Sequence, residues 1–156
     1  MGSEMCIRDS PELATIPAVR ITVSLSEIAS GTTASTVNWA SGITYRTVTS
    51  MYDATEGTRL VAPVSGLYLA HASLGFEANT VGTRSVSIAI NGANSNAACF
   101  DRDDATTDGA TFVNVTCPVR LDAGEFISIT VTQTSGVTLG FTGFEAASLT
   151  WVGSLD

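Results

Sequence analysis

From Tyr68 to Phe76 every second residue is apolar, so that Tyr68, Ala70, Ala72, Leu74 and Phe76 share one phase. A strand turns successive side chains to opposite faces, so this phase describes one dry face and one wet one. The same alternation recurs in Val19, Ile21, Val23 and Leu25, in Val86, Ile88 and Ile90, in Val113, Val115 and Cys117, and in Ile127, Ile129 and Val131. Turn signals separate these segments: Val64-Ser65-Gly66, Asn91-Gly92, Asp108-Gly109, Ala123-Gly124 and Ser135-Gly136. Further strands are expected near Trp39 and over 59–62, 97–101 and 144–152, about eight to ten in all. No ten-residue stretch carries a 3.6-residue period. The chain reads as all-β, a sandwich or barrel of short strands. An immunoglobulin-like domain needs about seven strands in about 100 residues; residues 18–156 offer more, which favours a jelly roll of two antiparallel sheets.

Composition supports this reading. Thr occurs 22 times, Ser 17 times and Gly 14 times; Thr suits pleated strands, while Ser and Gly suit turns. There is no Lys, and seven Arg face fifteen acids for a net charge of -8. Binding to duplex nucleic acid needs clustered cations to displace counterions, and such a chain does not supply them. Anionic membrane surfaces are disfavoured for the same reason, and no apolar run is long enough for a membrane-spanning helix.

The first ten residues follow no period. Met5-Cys6-Ile7-Arg8-Asp9-Ser10 reads as the translation of a sequencing-library adapter or as an expression scar, so residues 1–17 are set apart as a non-native leader plus linker. Residues 18–156 are expected to form one jelly-roll domain, in that case the C-terminal part of a longer chain.

Tyr52-Asp53, then Glu56-Gly57, then Ala62-Pro63-Val64-Ser65-Gly66-Leu67-Tyr68 resemble the strand-turn-strand signature of the complement globular-head and tumour-necrosis-factor-like jelly rolls. Ile90-Asn91-Gly92, the run Leu121 to Ile127 and Phe141-Thr142-Gly143-Phe144 follow in the order that family would have. The resemblance covers about residues 35–145, with Leu60 where the family usually has an aromatic and Glu125 where it usually has Asp. The ending, Phe144 through Trp151-Val152-Gly153, with Thr58-Arg59-Leu60 and Gly82-Thr83-Arg84, is similar to versions found in bacteriophage tail and virion-surface proteins. The resemblance implies a closed homotrimer packed around a threefold axis. Contact candidates are Leu67, Leu69 and His71 on one strand, with Leu149 and Trp151 on the closing strand.

Catalytic motifs are not found. His71 is the single histidine, which leaves no pair of imidazoles for a metal site, and it reads as a structural or subunit-interface residue. Asp101, Asp103, Asp104 and Asp108 form the densest acidic cluster; carboxylates are ligands for calcium, so a weak calcium site is one reading and a solvated loop the other. No other cofactor is expected. If Asp108-Gly109 centres a hairpin, Cys99 falls within a residue of Cys117, and both a disulfide and two buried free thiols remain open. Asn114-Val115-Thr116 matches a glycosylation sequon, and its alternation reads as strand.

Three functions follow. The first is a non-enzymatic structural or adhesion head domain, a trimeric bacteriophage virion component on tail or capsid surface, whose partners are itself, other virion proteins and host-surface glycan or protein. The second is a secreted bacterial carbohydrate- or protein-binding domain, in which Trp39, Tyr45, Tyr52 or Trp151 would stack on sugars; such aromatics more often fill a core. An enzyme is the least supported. The expected location is the virion surface or extracellular. Tyr68, Leu74, Phe76, Val86, Ile88, Ile129 and Val131 are the expected core.

Overall fold

A computed structural model describes residues 15–22, 26–39, 42–93 and 99–155. The leader string 5–10, Val23 and Leu25 of the first alternating segment, and Ala97 and Ala98 of the expected strand 97–101 lie outside the described residues. Among the described residues there are ten strands: β1 Ala18–Thr22, β2 Gly31–Thr36, β3 Ile43–Arg46, β4 Leu60–Val61, β5 Gly66–Phe76, β6 Thr83–Ile90, β7 Phe100–Asp104, β8 Thr111–Leu121, β9 Phe126–Gln133 and β10 Ala146–Gly153. The helical segment among them is a single 3-10 turn, Thr49–Met51, and no helix of the described residues is long and apolar enough to cross a membrane.

The strands form two antiparallel sheets. The first runs β3-β1-β10-β5-β8; the second runs β2-β9-β6-β7, with β4 also on β9. The alternating segments supply the core between them. Tyr68, Ala70, Ala72, Leu74 and Phe76 of β5 stand opposite Val119, Cys117, Val115, Val113 and Thr111 of β8, and all are buried. From the second sheet Val86, Ile88, Ile127, Ile129 and Val131 close the same cluster. Every residue of the expected core is inside, because one residue of slippage in any of these strands would turn its apolar set to water.

Polar groups buried beside this core tie down the loops. The Tyr52 hydroxyl donates to the Trp39 carbonyl at 2.8 Å and the Tyr68 hydroxyl to the Val64 carbonyl at 2.6 Å. Gln133 donates to the Ile28 and Val137 carbonyls and accepts from the Ser135 N–H. Buried Arg84 donates to the carbonyls of Val81, Thr83 and Asn79 and lies 5.9 Å over the Phe76 ring. The hydroxyls read from composition have a defined place: Ser85 pairs with Thr132 and Ser87 with Thr130, bridging β6 and β9 on the outer surface of the second sheet.

Two expectations change. The Asp108-Gly109 turn joins β7 to β8, but these strands belong to different sheets, β7 pairing with β6 and β8 with β5. A local turn signal marks a reversal and does not specify whether the strands pair. Cys99 and Cys117 form a disulfide, Cα to Cα 5.7 Å, which therefore ties one sheet to the other. Gly66 is the first residue of β5 rather than a turn residue: a Cβ there would strike the Trp151 indole and lie 2.5 Å from the Gly153 carbonyl oxygen. Gly66→Ala is expected to destabilise by about 1–3 kcal/mol through this overpacking, read from the urea midpoint; an unchanged midpoint would refute the packing argument.

The motif residues at the end where β1 begins lock two turns together. Asn91 and Gly92 both have positive φ, 51° and 77°, the backbone that favours Asn-Gly in two-residue turns. The Asn91 side chain donates to Glu125 Oε1 at 2.7 Å and accepts from the Phe126 N–H, while Glu125 Oε2 accepts from the Asp122 N–H. These bonds, Asp122 first and Asn91 second, hold the Glu125 carboxyl below the usual carboxylate range. Glu therefore serves where the resembling family usually has Asp.

Candidate subunit interface

The outer surface of the first sheet is set by its register. One row crosses all five strands: Tyr45 on β3, Arg20 on β1, Ser148 on β10, His71 on β5 and Thr116 on β8. The adjacent row is Ala18, Thr150, Leu69 and Pro118, followed by Leu67 beside Arg120. On the other side lie Ser73 and Asn114, then Gly75 and Phe112. Fifteen acids are present in the chain, yet no position named in these rows is Asp or Glu. The exposed apolar groups are Leu69 at 44%, Tyr45 at 46% and Phe112 at 50%, spread among hydroxyls with Arg20 and Arg120 as the cations.

His71 stands near the middle. Its Nδ1 lies 2.8 Å from Thr116 Oγ1. Burial pushes the imidazole below its ordinary value, the Arg20 guanidinium pushes the same way, and the Val115 backbone opposes both.

Three of the five contact candidates, Leu67, Leu69 and His71, do point outward. In the closing strand the phase is opposite to the one expected. Leu149 pairs with Ala70 and is buried in the core, and Trp151 pairs with Tyr68 and packs partly covered against that core; Ser148 and Thr150 face outward instead. Hydrophobic residues occupy both phases of 146–152, so alternation there was ambiguous. Arg20, Phe112, Thr116 and Arg120 carry no motif that marks them as contact residues, and Tyr45 is marked only as an aromatic suited to stacking on a sugar. The even phase of 112–120 was readable as the complement of Val113, Val115 and Cys117, and its lack of acids was the available signal.

β8 is a free edge of the first sheet. The Asn114 N–H donates to Asp101 Oδ2 at 2.9 Å rather than to a strand, so even-numbered N–H groups of β8 aim away from β5. Pro118 occupies one of these positions and has no N–H to offer.

The acidic cluster is not assembled for a cation. Asp101 is committed to Asn114, Asp103 accepts from the Asp104 N–H, and Asp104 and Asp108 are exposed. Among the described residues no three His, Cys, Asp or Glu side chains gather as a metal ion would require. Of the aromatics considered for sugar stacking, Trp39 and Tyr52 are buried in the core, Trp151 is partly covered and Tyr45 is exposed. In the groove lined by Ser50, Asp53, Glu56, Val61 and Gly124, the Arg59 guanidinium lies 4.4 Å over the Phe126 ring and 3.4 Å from Glu56. What the first sheet offers is a broad surface of mixed hydroxyl and apolar groups, suited to contact with another macromolecule.

No family model matches the sequence, and no curated protein matches it. Solved structures do match the fold. Murine APRIL at pH 5.0 superposes with a TM-score of 0.63 at 12% identity, covering 88% of this chain and 99% of that one. Eiger TNF from S. frugiperda superposes with a TM-score of 0.65 at 10% identity, covering 91% and 96%. With two antiparallel sheets in this order, the chain has the tumour-necrosis-factor-like jelly-roll fold.

Proposed function

We propose that this chain is the head domain of a homotrimeric, non-enzymatic binding protein whose subunits meet through the outer surface of the first sheet. The observation that carries this reading is the five-strand surface without acids on a chain of net charge -8. Bringing three such chains together concentrates negative charge, and association is least opposed where no carboxylate must be desolvated. Leu69, Tyr45 and Phe112 supply apolar area at that surface, and the threefold arrangement follows from the family resemblance of the Pro63-to-Tyr68 segment. Closed rotational symmetry leaves no surface to propagate.

Loops at the end opposite the β1 start contact the target. Val81, Val137 and Phe144 are exposed there, Phe144 at 79%, and three copies of weak loop contacts add as avidity. In its finer form the proposal makes the protein a bacteriophage virion component, on tail or capsid surface, as the similarity of residues 144–153 suggests. A disulfide between the sheets suits an oxidising surroundings such as a virion or cell surface.

Light scattering on the full chain tests the assembly. A mass three times 16.1 kDa, about 48 kDa, is expected, and a monomer persisting at high micromolar concentration refutes it. Leu69→Asp would bury an unpaired carboxylate at the contact and is expected to weaken association by at least about 2 kcal/mol. Its near-UV circular dichroism should stay native, since Leu69 faces away from the core.

A further inference from the structure

His71 is the chain's single histidine, and it occupies the middle of the proposed contact rather than its margin. The groups that face it are few. Its own strand contributes Leu69 and Ser73, β8 contributes Asn114, Thr116 and Pro118, β10 contributes Ser148 and Thr150, β1 contributes Arg20 and β3 contributes Tyr45. Beneath it, Ala70 and Ala72 face the apolar core. No carboxylate lies in these rows to balance an imidazolium, and the charged group across from it, Arg20, repels one. The ring's Nδ1 lies 2.8 Å from the Thr116 hydroxyl, a partner open to the neutral ring, and the Val115 backbone is the one neighbour that favours the protonated form.

We propose that His71 makes self-association across this surface acid-sensitive, the trimer forming with neutral imidazoles and loosening when they take up protons. The proposal rests on the reading of this surface as the subunit contact. Covering the surface removes the water that would solvate an imidazolium and supplies no anion in its place, which disfavours the charged form. Association then requires His71 to be neutral. The sign follows: the associated state binds fewer protons, so association is fully favoured above the value His71 has in the free subunit, which burial and Arg20 already hold below the ordinary one, and weakens as pH falls through that value. Three histidines enter each trimer, so the loss compounds. His71 is the chain's single histidine, the side-chain type whose ordinary value lies between pH 7.5 and 5.5.

The test is a dilution series by sedimentation velocity at pH 7.5 and 5.5 and fixed ionic strength, on the full chain and on His71→Asn, whose amide can replace Nδ1 toward Thr116. The expected result is dissociation at least about tenfold easier at pH 5.5 for the native chain, with the variant unchanged between the two pH values. Equal association of the native chain at both pH values overturns the proposal and leaves the trimer standing. Equal pH sensitivity in His71→Asn also overturns it, since another group would then be responsible. A native chain that is monomeric at pH 7.5 overturns the trimer and this proposal together. Should His71→Asn misfold, proton NMR of the lone imidazole decides. Its titration midpoint should be at least about one pH unit lower in the trimer than in a chain dissociated by the uncharged substitution Leu69→Asn, and equal midpoints overturn the proposal.

Discussion

Phe76→Ala is expected to destabilise the fold by about 3–5 kcal/mol, the usual cost of emptying a fully buried aromatic site. The ring ends β5, stands opposite Thr111 and packs at 5.1 Å and 54° against Phe141. It also floors the site of Arg84, whose guanidinium holds three carbonyls of the 79–83 turn. Removing it therefore opens a cavity beside a buried cation, and neither Phe141 nor Arg84 can move into the gap without breaking its own contacts. Urea unfolding followed by fluorescence measures the loss. A change below about 1 kcal/mol would show that the phase of β5 is wrong.

Breaking the Cys99–Cys117 bridge has the next largest expected effect. The two cysteines are 18 residues apart, and releasing a loop of that size restores about 3 kcal/mol of entropy to the unfolded chain. The effect should be uneven across the molecule. β7 is an edge strand with mostly exposed side chains, whereas β5 and β8 pair along eleven residues of each strand. Cys99→Ala with Cys117→Ala should speed hydrogen exchange in β7 most, with the β5–β8 ladder protected until global unfolding. Equal acceleration in both would refute the idea that the bridge mainly anchors the edge. Intact mass after thiol labelling without reductant checks that the bridge is present in the native chain.

How much the sequence reveals depends on whether a strand has a dry face. β5 and β8 bury one phase and leave the other largely open, and β6 and β9 set apolar residues on one phase against hydroxyls or alanine on the other, so their alternation is legible and their core residues can be named. β2 and β3 bury almost nothing, with Gly31 to Thr36 and Ile43 to Arg46 largely exposed, and they left no periodic mark. Only a neighbouring strand makes them strands: β2 on β9 and β3 on β1. The closing strand failed for the opposite reason, since Ala146, Ala147, Leu149, Trp151 and Val152 put apolar groups on both phases. Pairing partners were least accessible. The closeness of Cys99 and Cys117 was correctly placed by counting about Asp108-Gly109, even though the two strands face each other across the sandwich rather than along a ladder. Of the proposed contact, the β5 residues were found because their strand was, and the rest required the five-strand register.

The broken edge of β8 bears on what happens when many copies are crowded together. A strand of eleven residues with a full row of free N–H groups would invite a neighbouring chain to extend the sheet, and a sheet that can be extended once can be extended without limit. Here Asp101 occupies one donor and Pro118 deletes another, so an incoming strand would meet gaps at positions 114 and 118 and could not complete its ladder. Fibre growth is thereby disfavoured at high local density, and contacts between copies are left to side chains, which fit in a limited number of ways.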